Sequence, residues 1–95
     1  MAYRTIGEKA VYGSESVGTT AVELCVGSEA VTGRTGLYIH NNDDTTPIFI
    51  GTDDDVSASN GFPVPAGESL SLKLEPGQEV YAIAESSCDV RIIEV

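Results

Sequence analysis

The sequence predicts an all-β domain, a small antiparallel β-sandwich or barrel with an extended N-terminal arm. Apolar residues alternate with polar residues in six short runs, each of the length of a strand. Turn clusters rich in Gly, Pro, Asn and Ser separate these runs by about ten residues, a spacing typical of sandwiches and barrels. No segment has an apolar stripe of useful length with helical spacing.

The six runs are predicted to be strands because every second residue in each of them is apolar. They occupy residues 21–26, 37–41, 48–50, 69–74, 80–85 and 90–93. Successive side chains of a strand point to opposite faces, so each run presents one face to a core. The chain has no Trp and only 6% aromatic residues, which predicts a core of Val, Ile, Leu and Ala.

Two connections have a predictable geometry. The segment Glu75–Gln78 has Pro and Gly at the positions that a type II turn requires, and we expect it to join its flanking strands as a hairpin. Pro63 and Pro65 cannot donate to a ladder, so Gly61–Gly67 is predicted to be an extended crossing between sheets. Phe62 is expected to cap one end of the core.

The first dozen residues mix apolar and charged side chains at irregular spacing. We expect an N-terminal arm and first strand over residues 1–13, with the strand near Lys9–Gly13, followed by a β-sandwich domain over residues 14–95. Such an arm becomes ordered on a partner. The candidate partner-binding residues are three apolar anchors and two cations: Tyr3, Ile6, Tyr12, Arg4 and Lys9.

The charge excludes several partner classes. The chain has 15 acidic and 5 basic residues and a net charge of −10, which opposes binding to nucleic-acid phosphates and to anionic membranes. Residues 1–34 hold three bases and four acids (net −1), and residues 35–95 hold two bases and eleven acids (net −9). We therefore expect the acidic part to face solvent and the N-terminal part to face a partner. No apolar signal segment is visible, which indicates synthesis in the cytoplasm.

The residues do not favour catalysis, and we expect no enzyme activity, no cofactor and no metal. Cys25 and Cys88 are too few for a secreted disulfide scaffold and are expected to be free thiols, although neighbouring strands would allow them to pair. Together with His40, the only histidine, the two cysteines are the only Cys and His candidates for zinc ligands in the chain. No nucleophile elbow or phosphate-binding loop occurs.

Two further groups of side chains leave alternatives open. The run Asp53–Asp55 offers oxygen ligands for calcium, but consecutive carboxylates point in opposite directions in extended chain, so a solvated loop tip is favoured. Tyr12, Tyr38 and Tyr81 are candidates for an aromatic sugar-binding platform. Packing under loops or against the second sheet is the alternative for these tyrosines.

Residues 37–95 begin with a strand that ends in Asn-Asn, followed by Pro-Ile-Phe-Ile-Gly, Asn-Gly-Phe-Pro-Val, Ala-Gly-Glu-Ser-Leu, a Leu-x-Leu strand and Val-Tyr-Ala-Ile-Ala. With this succession of motifs they resemble a small β domain that recurs in bacteriophage structural proteins. Val64 and Val80 stand where Leu is common in that family. The resemblance implies a virion component of the capsid or tail, of decoration or head-fibre type, without enzyme activity.

The main functional hypothesis is therefore a capsid decoration protein. It would bind the major capsid protein on the assembled head, as a homo-oligomer and most simply a homotrimer, on the surface of the virion. The alternative is a carbohydrate-binding or receptor-binding module of a phage fibre or tail, which would use Tyr38, Tyr81 and loop carboxylates. An enzyme of this size would require a pocket that a filled sandwich does not offer.

Overall fold

The chain forms eight β-strands in the computed structural model, which describes residues 10–27 and 31–95. In chain order they are β1 (Val11–Val17), β2 (Val22–Glu23), β3 (Gly36–Asn41), β4 (Ile48–Gly51), β5 (Phe62–Val64), β6 (Ser69–Lys73), β7 (Tyr81–Ala84) and β8 (Cys88–Glu94). The all-β prediction is confirmed. Within these two described ranges, no helix is long and apolar enough to cross a membrane.

The strands form two antiparallel sheets of four strands each. Sheet A has the order β1-β8-β3-β6, and sheet B has the order β2-β7-β4-β5. The first four strands pair with the last four in reverse order, β1 with β8, β2 with β7, β3 with β6 and β4 with β5. A long antiparallel ribbon has this pattern, and additional pairing of β3 with β8 and of β4 with β7 completes the two sheets. The predicted sandwich is therefore a jelly roll.

The core lies between the sheets and contains the aliphatic residues that the composition predicts. Alternate positions along each strand supply it, as Leu37 and Ile39 do in β3. Burial of one such side chain stabilises the fold by about 1.5–3 kcal/mol. The core cluster consists of Val17, Leu24, Leu37, Ile39, Ile48, Ile50, Val64, Val80, Ala82, Ala84, Cys88, Val90 and Ile92.

The limits of the predicted strands shift by a residue or two in most cases, and two strands differ more. The first strand runs over Val11–Val17, so it continues beyond the expected Lys9–Gly13 segment. The run at residues 21–26 forms a strand only at Val22–Glu23. The Leu24 amide still bonds to the Val80 carbonyl at 2.8 Å, but the Val26 amide bonds to a side chain of sheet A instead. The alternation of the sequence continues over residues 24–26, although they form no strand, because this segment crosses the end of the core.

The predicted turn at Glu75–Gln78 is confirmed, but the prediction that it forms a hairpin is wrong. Gly77 has a φ of 79°, and the Gln78 amide donates to the Glu75 carbonyl at 3.0 Å. However, β6 belongs to sheet A and β7 to sheet B. The turn therefore carries the chain from one sheet to the other, because each strand pairs with a distant segment of the ribbon.

The predictions for Gly61–Gly67 and Phe62 are corrected. The first part of this segment is β5, an edge strand of sheet B paired with β4. An edge strand tolerates Pro63 because one side of it needs no ladder hydrogen bond. Only the turn after β5 crosses to sheet A. Phe62 is 59% exposed and does not cap the core, because none of the described strands flanks the outer side of β5.

A buried ion pair closes one end of the sandwich. Glu94, at the end of β8, is fully buried, and Arg34 is 5% exposed. Arg34 Nη1 lies 2.7 Å from Glu94 Oε2 and donates to the Leu24 carbonyl at 2.6 Å. The Glu94 carboxylate also accepts the amides of Val26 at 3.0 Å and Val31 at 2.7 Å. One side chain thus anchors the connection between β2 and β3.

A buried amide and a carboxylate organise the loop between β3 and β4. Asn41 is fully buried, and its Nδ2 donates to the carbonyls of Thr46 at 2.9 Å and Val64 at 3.0 Å. The Asp43 carboxylate accepts the amides of Thr45 at 3.0 Å and Thr46 at 2.8 Å. These backbone hydrogen bonds favour the charged carboxylate and hold the pKa of Asp43 below its ordinary value of 3.8.

The buried ion pair yields a prediction on stability. We expect Glu94→Gln to lower the free energy of unfolding by about 3–5 kcal/mol, because it leaves the Arg34 guanidinium buried without a counter-charge. The double variant Arg34→Met/Glu94→Gln removes both charges and keeps one amide oxygen, which can accept from either the Val26 or the Val31 amide. It should therefore be more stable than Glu94→Gln alone. Urea denaturation monitored by circular dichroism measures these differences.

The exposed ion pair on the same strand provides the matched control. The side chains of Arg91 and Asp89 are 57% and 45% exposed, so Asp89→Asn should cost no more than about 1 kcal/mol. Equal effects of Glu94→Gln and Asp89→Asn would contradict a dominant role of the buried pair.

The lowered pKa of Asp43 predicts a dependence on pH. A carboxyl with a lower pKa in the folded state stabilises the protein above the unfolded pKa, and that contribution is lost as the pH falls through the folded value. Asp43→Ala should therefore be less stable than the wild type at pH 7, and the difference should shrink towards about pH 2. Urea denaturation at several pH values tests this. Asp44→Ala is the control, since the Asp44 carboxylate accepts no hydrogen bond from the described residues. A difference independent of pH would contradict the assignment.

Candidate functional site: the outer face of sheet A

The candidate site is the outer face of sheet A, which we define as the outward side chains of its four strands. Strand register aligns them in two adjacent rows. One row is Tyr12, Ile93, Tyr38 and Ser71, and the other is Ser14, Arg91, His40 and Ser69. Side chains directly opposite one another on neighbouring strands have Cβ atoms about 4.5–5.5 Å apart, so each row is continuous. The face thus combines an apolar row with a polar row.

This face is concave. Its groove has a volume of about 810 Å³, within the range of about 300–1,000 Å³ that small-molecule sites occupy. All eight side chains of the two rows line it. The core of the sandwich is filled by aliphatic side chains, so this groove lies on the sheet and not between the sheets.

Hydrogen bonds hold the polar side chains of this face in fixed orientations. His40 Nδ1 and Ser69 Oγ are 2.7 Å apart. Arg91 donates through Nε to Asp89 Oδ1 at 3.1 Å and through Nη2 to Asp89 Oδ2 at 2.7 Å, and Asn42 Nδ2 donates to the same Oδ2 at 3.2 Å. The hydrogen bonds that Asp89 accepts from Arg91, and then from Asn42, lower the pKa of Asp89. The bond that Arg91 donates to Asp89 raises the pKa of Arg91.

The outer face of sheet A also differs in charge from the rest of the surface. Of the Lys and Arg residues that the structure describes, Arg34 is buried, and the two exposed ones, Lys73 and Arg91, both lie on this face. Asp89 is the one carboxylate among the outward side chains of the described strands of sheet A. The exposed acids of the described loops are Asp44, Asp53, Asp54, Asp55, Glu68, Glu75, Glu79 and Glu85.

The separation of charge predicted along the sequence is therefore not the separation in space. Arg34, one of the three bases of the near-neutral segment, is buried against Glu94, one of the acids expected to face solvent. Lys73 and Arg91, both from the acidic segment, provide the exposed cations of the outer face. Strand pairing, and not position along the chain, decides which surface is less acidic.

Of the predicted partner-binding residues, Tyr12 lies on this face. It is 81% exposed and pairs with Ile93 at the start of β1. Tyr3, Arg4, Ile6 and Lys9 lie outside the described residues. The chain preceding residue 10 joins β1 at the Tyr12 end of the apolar row.

The three tyrosines of the predicted platform lie on two different sheets. Tyr12 and Tyr38 flank Ile93 on sheet A. Tyr81 lies in β7, opposite Glu23 and Gly51, and points outward from sheet B. Its hydroxyl donates to Glu79 Oε1 at 3.5 Å, and the charge of Glu79 raises the pKa of Tyr81. Tyr38 and Tyr81 therefore cannot contact one small ligand together.

The remaining candidate residues do not assemble into a site. Asp53–Asp55 form an exposed loop tip, as favoured, with the Asp55 amide bonded to Asp53 Oδ1 at 3.0 Å. Within the described ranges, no three His, Cys, Asp or Glu side chains are placed to hold a metal ion. Cys25 and Cys88 are both free thiols, as predicted. Burial raises the pKa of the Cys88 thiol, whose sulfur lies 3.5 Å from the Ser86 carbonyl.

The sequence predicts members of this face but not the face itself. The predicted strands over 37–41 and 90–93 contain Tyr38, His40, Arg91 and Ile93, whereas Ser14 lies outside every predicted strand. Glu94 offered a local signal, because it continues the inward positions of Cys88, Val90 and Ile92 in β8. An acid at an inward position indicates a buried partner.

Comparison of the chain with protein-family models and with curated proteins finds no match. The functional argument therefore rests on the geometry and chemistry of this chain.

The two thiols should react differently. Cys88 is 1% exposed and has a raised pKa, whereas Cys25 is half-buried. We expect an aromatic disulfide reagent at pH 8 to titrate one thiol quickly in the native protein and the second only after unfolding. Cys25→Ser should abolish the fast phase, and Cys88→Ser should preserve it. Fast reaction of both thiols in the native state would contradict the burial of Cys88.

Proposed function

We propose that this protein is a bacteriophage virion protein that decorates the capsid by binding the major capsid protein. The observation that supports the proposal best is the position of β1. This strand forms an edge of sheet A, carries the exposed Tyr12, and is continuous with the N-terminal segment that holds Tyr3, Arg4, Ile6 and Lys9. The segment with the proposed contacts is therefore joined in sequence to an edge strand.

An edge strand offers affinity through its backbone. Among the described strands, β1 pairs only with β8, along seven residues from Val11 to Val17. A partner segment that adds to the free side of β1 would gain main-chain hydrogen bonds, and pockets for its side chains would provide specificity. Unpaired edges also promote aggregation, so burial of β1 on a capsid or in an oligomer would remove that liability.

The charge distribution favours attachment by this side. A protein with a net charge of −10 repels a second acidic surface over most of its area. The outer face of sheet A presents Lys73 and Arg91, and the acidic loops lie elsewhere. A molecule bound through β1 and the adjoining face would turn most of its carboxylates to solvent.

The fold and the resemblance agree with this role without proving it. Jelly rolls build viral capsid domains and also lectin domains, so the fold is compatible with several functions. The resemblance of residues 37–95 to phage structural proteins favours the virion. We further propose a homotrimer at a symmetry axis of the shell, since closed symmetric assemblies bury edges such as β1.

Co-sedimentation with capsids tests the proposal. The capsids are assembled from the major capsid protein of the phage that, on this proposal, would carry the protein. Deletion of residues 2–9 should abolish binding, and Tyr12→Ala should weaken it about tenfold, equivalent to about 1.4 kcal/mol. Tyr81→Ala is the matched control on sheet B and should bind as the wild type does. Circular dichroism verifies that each variant is folded.

Two results would refute the proposal at different levels. Binding of the deletion variant at full occupancy would show that the N-terminal segment is not the anchor. No binding of the wild-type protein to these capsids would refute the decoration function itself.

A further inference from the structure

We propose that the outer face of sheet A binds an acidic saccharide, a sugar chain that carries carboxylates. This activity goes beyond attachment to the capsid. It places ligand recognition in the groove formed by Tyr38, Ile93, His40 and Arg91, with serine hydroxyls at its sides.

The apolar row provides a surface for the nonpolar face of a sugar ring. Tyr38 is half-buried, with Ile93 opposite it on one neighbouring strand and Ser71 on the other. Its position at the centre of the sheet limits its motion, so little conformational entropy is lost when a ligand stacks on it. Tyrosine suits such a site because its ring is apolar and its hydroxyl remains available for hydrogen bonds. Tyr12 adds a second ring at the margin.

The polar row provides hydrogen bonds that are already oriented. Asp89 holds Arg91 through Nε and Nη2, which leaves Nη1 without a partner among the described residues. Ser69 holds His40 through Nδ1, and Nε2 is likewise unpaired within the described part of the chain. Groups fixed in this way bind a ligand at a lower entropic cost than mobile side chains do. Ser14 and Ser71 add hydroxyls that both donate and accept.

Charge favours an acidic ligand, since the outward side chains of sheet A carry Lys73 and Arg91 against the single carboxylate of Asp89, which pairs with Arg91. On a chain with a net charge of −10, a carboxylate is repelled by most of the surface. The outer face of sheet A is where the exposed cations Lys73 and Arg91 are found among the described residues. A guanidinium binds a carboxylate strongly through charge-assisted hydrogen bonds. Several hydroxyls beside this cation suit a polyhydroxylated ligand better than a simple apolar anion.

The test uses the full-length protein without capsids, so it is independent of the decoration function. The probes are sialyllactose and a trisaccharide of galacturonic acid, with lactose as the neutral control. Two-dimensional NMR of the labelled protein should show saturable shifts at residues of β3 and β8 with at least one acidic probe. Added salt should weaken the binding.

Four variants locate the site. Tyr38→Ala and Arg91→Gln should each weaken the binding about tenfold, equivalent to about 1.4 kcal/mol. Tyr81→Ala, a half-buried tyrosine on the outer side of sheet B, should change it less than about twofold. Tyr38→Phe keeps the ring and should retain most of the affinity, which distinguishes loss of stacking from loss of folding.

Three outcomes would overturn the proposal. The first is no saturable shift with either acidic probe up to about 10 mM, a concentration that corresponds to a very weak affinity. The second is wild-type affinity of both Tyr38→Ala and Arg91→Gln. The third is equal binding of lactose, which would show that the carboxylate is not recognised. If the protein binds capsids but no acidic sugar, the decoration function is supported and the saccharide site is refuted.

Discussion

The carboxylate of Glu94 is the constraint on which one end of the molecule depends. It is fully buried at the end of β8, where it accepts hydrogen bonds from Arg34 and from the amides of Val26 and Val31. Desolvation of two charges is costly, so the pair persists only because its geometry is good. Through these contacts Leu24, Val26 and Val31, on the connection from β2 to β3, are held at the end of the core.

The wrapped ribbon determines which side chains can act together. Because β1 pairs with β8 and β3 with both β8 and β6, the outer face of sheet A collects residues from both ends and the middle of the chain. Its side chains stand on paired strands, which are more rigid supports than loops. The edge at β1 and the adjoining groove belong to one sheet and meet at Tyr12, which lies on the edge strand and also lines the groove.

Particular residues mark how far the sequence predicts this structure. The alternation of Leu70, Leu72 and Leu74 located a strand, and Pro76 and Gly77 located its turn. The same local information led to a wrong hairpin, because a turn of this type does not specify whether the next strand joins the same sheet. The prediction that Phe62 caps the core was wrong for a related reason. The exposure of Phe62 follows from the position of β5 at an edge of its sheet. Glu94 was counted as surface charge although its place in the alternation of β8 is inward.

Local chemistry therefore determined the strands, the turn at Glu75–Gln78 and the aliphatic character of the core, because these depend on side-chain periodicity and on the φ values that Pro and Gly permit. Tertiary structure alone decided the pairing order, the burial of Arg34 with Glu94 and the separation of Tyr38 from Tyr81. These features depend on contacts between residues far apart in the chain. Such contacts cannot be inferred from a short stretch of sequence. The outer face of sheet A, the surface with the proposed functions, belongs to this second group.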